Sequence, residues 1–234
     1  MVQWPTLALE RRLLAQGYLH IAGLDEAGRG AWAGPVVAAA VILPLAHRDS
    51  IKATLPEELK GVRDSKLLTP RRREELSEVV CDKARAVGVG VVGPEEIDLE
   101  GIVPATRRAM RLALDGLEVS PQYLLIDYLL LPQVSIPQWA MAHGDRLCLS
   151  IAAASIIAKV HRDRLMGELD VRYPGYGLAQ HKGYGTASHR MALERLGPTP
   201  IHRLSWAPCR RLRFDNCRGL WYNSKCNGTL TTEE

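Results

Sequence analysis

One stretch constrains the chain more than any other. Leu19–Leu24 is a short apolar run that leads into two adjacent carboxylates, Asp25 and Glu26. A small basic turn follows, Ala27-Gly28-Arg29-Gly30, and then Ala31-Trp32-Ala33-Gly34-Pro35 opens a second apolar run, Val36–Leu43. Carboxylates at the end of a buried strand are costly to desolvate unless a cation or hydrogen bonds compensate them. Glycines allow positive φ and close approach of backbone to a ligand. The stretch therefore reads as a strand that delivers carboxylates to a site, beside a loop able to touch a substrate's backbone. A plain β-hairpin with an acidic turn is the commoner meaning of Asp-Glu-x-Gly taken alone.

The 234 residues suffice for one domain with a sizeable core. No apolar run is long enough to span a bilayer, and no signal peptide opens the chain, so a cytoplasmic protein without a membrane partner is expected. The five cysteines, Cys81, Cys148, Cys209, Cys217 and Cys226, argue against a disulfide framework. A net charge of +4 suits a polyanionic partner but decides nothing alone.

Thr6–Gln16 has helical spacing and Gly17 stops it. Val36–Leu43 is apolar throughout, as in a strand buried on both faces. Thr69-Pro70 signals a helix start, cap followed by Pro at the first turn, for a helix through Arg85. Its Arg71-Arg72-Arg73 triplet reads as a solvated face. Ala86–Val92 is a third strand, and a helical region opens at Pro94 with one apolar face along Ile102, Ala109, Met110, Ala113, Leu114 and Leu117. Tyr123–Asp127 is a short buried strand ending in an acid, and Pro137–His143 a weaker one followed by Gly144-Asp145. Leu147–Leu169 is the longest helix, small and apolar first, charged later. Gln180–Thr186 is a basic, glycine-punctuated loop, and Thr186 caps a helix through Leu196. Strands alternating with helices give an α/β fold with a mixed sheet.

Asp25-Glu26, Asp127 and Asp145 are thus acids at strand ends or in turns that follow strands. Converging buried carboxylates need protons or cations, and all-oxygen ligands select hard ions such as Mg²⁺ or Mn²⁺. Two such ions roughly 3.5–4 Å apart can activate water and stabilise the leaving oxygen of a phosphodiester. Alternation along a strand sends neighbouring side chains to opposite faces, so Asp25 and Glu26 share a site only if the chain turns there.

Leu24–Gly30, Asp64-Ser65-Lys66, Leu125-Ile126-Asp127, Ser150–Val160 and His181–Thr186 resemble ribonuclease HII, in family order across residues 18–206. The resemblance implies a ribonuclease H-like fold, a five-stranded mixed sheet flanked by helices with a helical C-terminal region. It implies a metal-dependent endonuclease that cuts the RNA strand of RNA–DNA hybrids, and cuts 5′ of single ribonucleotides in duplex DNA to leave 3′-hydroxyl and 5′-phosphate ends. The family's metal-binding acids map onto Asp25, Glu26, Asp127 and Asp145, with Mn²⁺ or Mg²⁺ as cofactor. Its ribose-sensing turn maps onto Gly28, Arg29 and Gly30, its partnering tyrosine onto Tyr184, and Lys66 resembles a phosphate contact. A monomer is expected. Residues 1–208 form the catalytic domain in this reading and 209–234 a basic, flexible tail.

Two departures from the family stand out. His143 precedes Gly144-Asp145 where Lys is usual, and Tyr128 with Leu129–Leu131 follows the third acid where a small residue is common. Asp163 reads as a salt-bridge partner rather than a ligand. His202 with Cys209, Cys217 and Cys226 is poorly spaced for zinc, and unpaired thiols are expected. A non-catalytic nucleic-acid-binding module that kept the fold is the alternative. A glycine-loop nucleotide enzyme fits worse, because phosphates would meet carboxylates. Ribonuclease HIII would need an extra N-terminal domain where only 24 residues precede Asp25.

Overall fold

The computed structural model describes residues 4–45 and 57–211. Five strands form one sheet in the order β3-β2-β1-β4-β5. They are β1 (Ile21–Ala27), β2 (Val36–Ile42), β3 (Ala86–Val92), β4 (Tyr123–Asp127) and β5 (Gln138–Met141). β2 runs antiparallel to both β1 and β3, whereas β4 and β5 run parallel to β1, so the sheet is mixed as expected.

Every residue of β2 is buried. Alternation explains it: Ala38, Ala40 and Ile42 enter one apolar cluster, and Ala39 and Val41 enter the other. The first face carries α3 (Pro94–Glu100) and α4 (Ile102–Asp115). The region expected to be one helix is two, because Gly101 sits at φ +86 between them. The second face carries α1 (Ala8–Ala15), α2 (Pro70–Lys83) and α5 (Leu149–Arg172). α2 starts as predicted, with the Thr69 hydroxyl accepting from Arg72 N. α5 lies almost against the sheet backbone: a Cβ added to Gly23 would stand 2.1 Å from the carbonyl carbon of Ser150. The run Ala152-Ala153-Ala154 permits that approach, and all three are fully buried.

Two expectations on α2 and the C-terminal loop need correction. Arg71 is exposed, but Arg73 is buried, and its guanidinium donates to the carbonyls of Ser65 and Leu68. The predicted loop at Gln180 begins inside a helical turn, α6 (Leu178–His181). α7 (Ala187–Leu196) follows, capped by Thr186. α6 and α7 close a third apolar cluster with Ala33, Met166, Ile201 and Cys209. Cys209, where the flexible tail was expected to begin, is thus buried, and residues 210 and 211 continue its helical turn. The remainder of that expected tail, with Cys217 and Cys226, lies outside the described residues.

Candidate active site

The acids meet where β1 outruns β4. β1 pairs with β4 only as far as Leu24↔Ile126, yet stays paired to β2 through Ala27↔Val37. Asp25 and Glu26 therefore lie within a strand, not in a turn, and the turn begins at Gly28. Residue parity puts Asp25 on the α5 face with Ala27, and Glu26 on the α4 face with Leu24. Both still feel the charge of Asp127, because β4 ends there and leaves the strand edge open. Asp127 accepts from Gly144 N at 2.7 Å, and this bond holds the turn that carries buried Asp145. The chain thereby gathers all four predicted acids at one end of the sheet.

Burial raises the Asp25 carboxyl well above its ordinary range, and the charges of Glu26 and Asp127 push the same way. Glu26 and Asp145 are also raised, chiefly by burial, against the lowering pull of Arg29 and Lys66 respectively. Arg29 Nη1 lies 3.1 Å from Glu26 Oε1, and Lys66 Nζ lies 3.5 Å from Asp145 Oδ2. Four carboxylates thus face two cations. Glu26 Oε2 is buried without a hydrogen-bond partner. The donor set is all hard oxygen and carries excess negative charge, which suits a divalent ion. Among the described residues, no three His, Cys, Asp or Glu side chains are already gathered so that they could hold one ion.

Sequence reasoning missed the residues that hold the neighbouring loops. Arg162 and Arg203 are fully buried. Arg203 donates to Gly28 O (2.6 Å), Arg29 O (2.7 Å) and Gly34 O (3.0 Å). Arg162 donates to Pro35 O (3.0 Å), Ala33 O (3.2 Å) and Lys182 O (2.9 Å). Its guanidinium also lies 5.4 Å from the centre of the Tyr184 ring. The two arginines thus tie the Gly28–Gly30 turn to the Tyr184 loop. Gly28 is fixed by this packing: it has φ +94, and an added Cβ would meet Arg162 Nε at 1.9 Å. Gly30 differs, since a Cβ there would meet nothing within 4 Å. A signal for Arg162 did exist, because it falls on the helical stripe Ile151, Ser155, Ala158, Met166, all buried.

Ser155 was missed as well. Its hydroxyl lies 2.9 Å from Ser65 Oγ and partly offsets the rise of the Asp25 carboxyl. Asp64 caps the Ser65–Leu67 turn by accepting from Lys66 N, and so presents Lys66 to the acids. Asp163 is a salt-bridge partner as expected, paired with Lys159 at 2.6 Å and Arg73 at 3.4 Å. Tyr128, at φ +65, is exposed beside the acids with Arg29 5.3 Å from its ring centre. Positive φ at this position disfavours a bulky side chain, which fits the expectation that a small residue belongs there.

The chain is similar to known proteins in sequence and in fold. The ribonuclease HII family model matches residues 22–209. A ribonuclease HII of Dehalococcoides mccartyi is 52% identical over 183 residues, 76% of this chain and 81% of its own. The ribonuclease HII of Roseiflexus castenholzii is 55% identical over 194 residues, 83% of this chain and 84% of its own. The crystal structure of ribonuclease H2 from Pyrococcus horikoshii superposes with a TM-score of 0.68 at 29% identity, covering 84% of this chain and 98% of that one.

Proposed function

The chain belongs to the ribonuclease HII family and is a ribonuclease H enzyme, and from that premise we propose that it hydrolyses the RNA strand of RNA–DNA hybrids and incises duplex DNA 5′ of single embedded ribonucleotides. The products carry 3′-hydroxyl and 5′-phosphate ends. One observation supports the reading above others: a four-acid cluster lies beside a glycine turn that two buried arginines lock to a tyrosine loop.

Asp25, Glu26, Asp127 and Asp145 would hold Mg²⁺ or Mn²⁺. Bound there, divalent ions supply water activation and leaving-group stabilisation. The chain's own residues do the rest. The Gly28–Gly30 backbone meets the ribose, whose 2′-hydroxyl alone separates RNA from DNA at one nucleotide. Open space over Gly30 leaves room for the sugar edge to reach main-chain groups. Tyr184, partly exposed, packs on the sugar beside the cut and tests for deoxyribose. Lys66 is largely exposed and within reach of Asp145, so it is placed to meet the phosphate. Arg29 is bonded to Glu26 and, with a metal held by the acids, would be available to substrate instead.

The test compares a duplex with one embedded ribonucleotide against an all-RNA hybrid strand, in Mg²⁺ and in Mn²⁺, with end analysis of the products. Cutting 5′ of the lone ribonucleotide, lost in Asp25→Asn, is the expected outcome. Tight binding with no metal-dependent cutting would favour a binding module instead.

A further inference from the structure

Behind the Tyr184 loop three buried histidines stack outside the acidic site. The rings of His181 and His189 lie 4.4 Å apart and nearly parallel, and those of His189 and His202 lie 5.4 Å apart. Their hydrogen-bond partners fix where each proton sits. A backbone N–H can only donate, so His202 Nδ1, which takes Thr199 N–H at 3.0 Å, carries no proton. A neutral His202 is therefore protonated at Nε2. That nitrogen faces His189 Nε2 at 3.2 Å, which must then be the acceptor. The proton of His189 is left on Nδ1, 3.0 Å from the carbonyl oxygen of Tyr184, which can only accept. His181 obeys the same logic: Nδ1 accepts from Gly183 N at 3.2 Å, and Nε2 donates to Tyr176 O at 2.7 Å. Every assignment agrees with its neighbours.

We propose that His189 and His202 are positioning residues for Tyr184. They form a one-directional relay, from Thr199 N–H through both imidazoles to the Tyr184 carbonyl, that sets where the Tyr184 side chain meets substrate. The relay joins the turn after α7 to the loop before it, so the tyrosine is indexed to the C-terminal cluster. His181 steadies the preceding residue, and Gly183 O accepts in turn from Trp32 N at 2.8 Å. The main chain on both sides of the peptide is thereby held while the ring stays partly exposed. Burial keeps both imidazoles neutral, as the relay requires, by pushing His189 and His202 down to about 4.

The inference rests on the reading that Tyr184 touches substrate, and a double-mutant cycle separates the two. His202→Leu removes the donor to His189, and His202→Gln restores one. Measured on the single-ribonucleotide duplex, His202→Leu is expected to raise KM about fivefold to tenfold with kcat within about twofold, and His202→Gln to recover most of the loss. In a Tyr184→Ala background the same His202→Leu change is expected to alter KM by less than about twofold, since the positioned ring is gone. If Tyr184→Ala alone leaves KM unchanged, the substrate role of Tyr184 falls and the relay with it. If Tyr184→Ala raises KM but His202→Leu does not, or the two effects simply multiply, the relay alone is overturned. Should His202→Leu fail to fold, nitrogen-15 spectra of the unsubstituted protein decide. They should show His202 protonated at Nε2 and His189 at Nδ1, and the reverse assignment rejects the relay.

Discussion

Arg203→Lys keeps the positive charge and removes the planar fork. The guanidinium reaches three carbonyls, Gly28 O, Arg29 O and Gly34 O, from a fully buried position. A single ammonium nitrogen cannot span three acceptors set out for a fork. Two of the three would lose their donor, at roughly 1–3 kcal/mol for each unsatisfied buried group. The expected loss is therefore about 2–6 kcal/mol of folding stability, read by urea denaturation. For a chain of this size it corresponds to a fall in Tm of roughly 5–20 °C. Local slack matters as much, because the freed carbonyls bracket the turn assigned to the ribose. Steady-state cleavage at a temperature where the variant is folded should show KM raised about tenfold, equivalent to about 1.4 kcal/mol of binding. A fall in Tm of less than about 2 °C, with KM within about twofold, would refute the role given to Arg203.

Other outcomes follow from the same geometry. At Tyr128, φ +65 penalises any Cβ, so Tyr128→Gly should be more stable than Tyr128→Ala by about 1 kcal/mol in urea, the reverse of the usual order. Asp25, Glu26 and Asp145 have carboxyls raised in the folded state, so their ionisation costs stability as pH rises through those values. Asp25→Asn should accordingly raise the Tm of the metal-free protein while abolishing cleavage, and Mn²⁺ should raise the Tm of the unsubstituted protein more than that of the variant, by differential scanning fluorimetry. His189 and His202 shift the opposite way. Their folded values near 4 lie below the ordinary 6.5, so the unfolded chain takes up more protons between those limits. Their contribution is complete above about pH 6.5 and is lost as pH falls toward 4; Tyr176, His181 and Trp32 are the other rings packed there. The acids oppose this trend, so the measurement is the difference in urea stability between the unsubstituted protein and His202→Gln across that window, and a flat difference would contradict the assignment.

The strands and acids were legible because each acid terminates or follows an apolar run that has only one use. Val36–Leu43 could be read as doubly buried for the same reason. The turn expected at Asp25-Glu26 was a misreading of how opposed side chains converge. The chain does not bend there; its neighbour β4 stops, and both faces open onto one edge. The buried arginines were hidden by composition. Arg73, Arg162 and Arg203 sit in charged or irregular stretches, and their partners are carbonyls, near in sequence for Arg73 but distant for the other two, such as Gly28 for Arg203. Backbone acceptors leave no trace in residue identity, so only the register of Arg162 on an apolar stripe hinted at burial. His189 and His202 were invisible likewise, since their pairing depends on where the turn after α7 returns.

Gly23 brings α5 into backbone contact with β1, and this has a metrical consequence. Ser155, which lowers the Asp25 carboxyl, and Arg162, which anchors the glycine turn and the tyrosine loop, are seven residues apart on that helix. Seven residues return to nearly the same helical face after a rise of about 10 Å. The helix is therefore a gauge block between the acids and the glycine turn, which in the proposed function are the cutting end and the sugar-reading end. A one-residue insertion between them would swing the anchor by about 100° and leave the acids where they are. Under the proposed function, which nucleotide is cut, relative to the one that is felt, would be a length written into the pitch of a single helix.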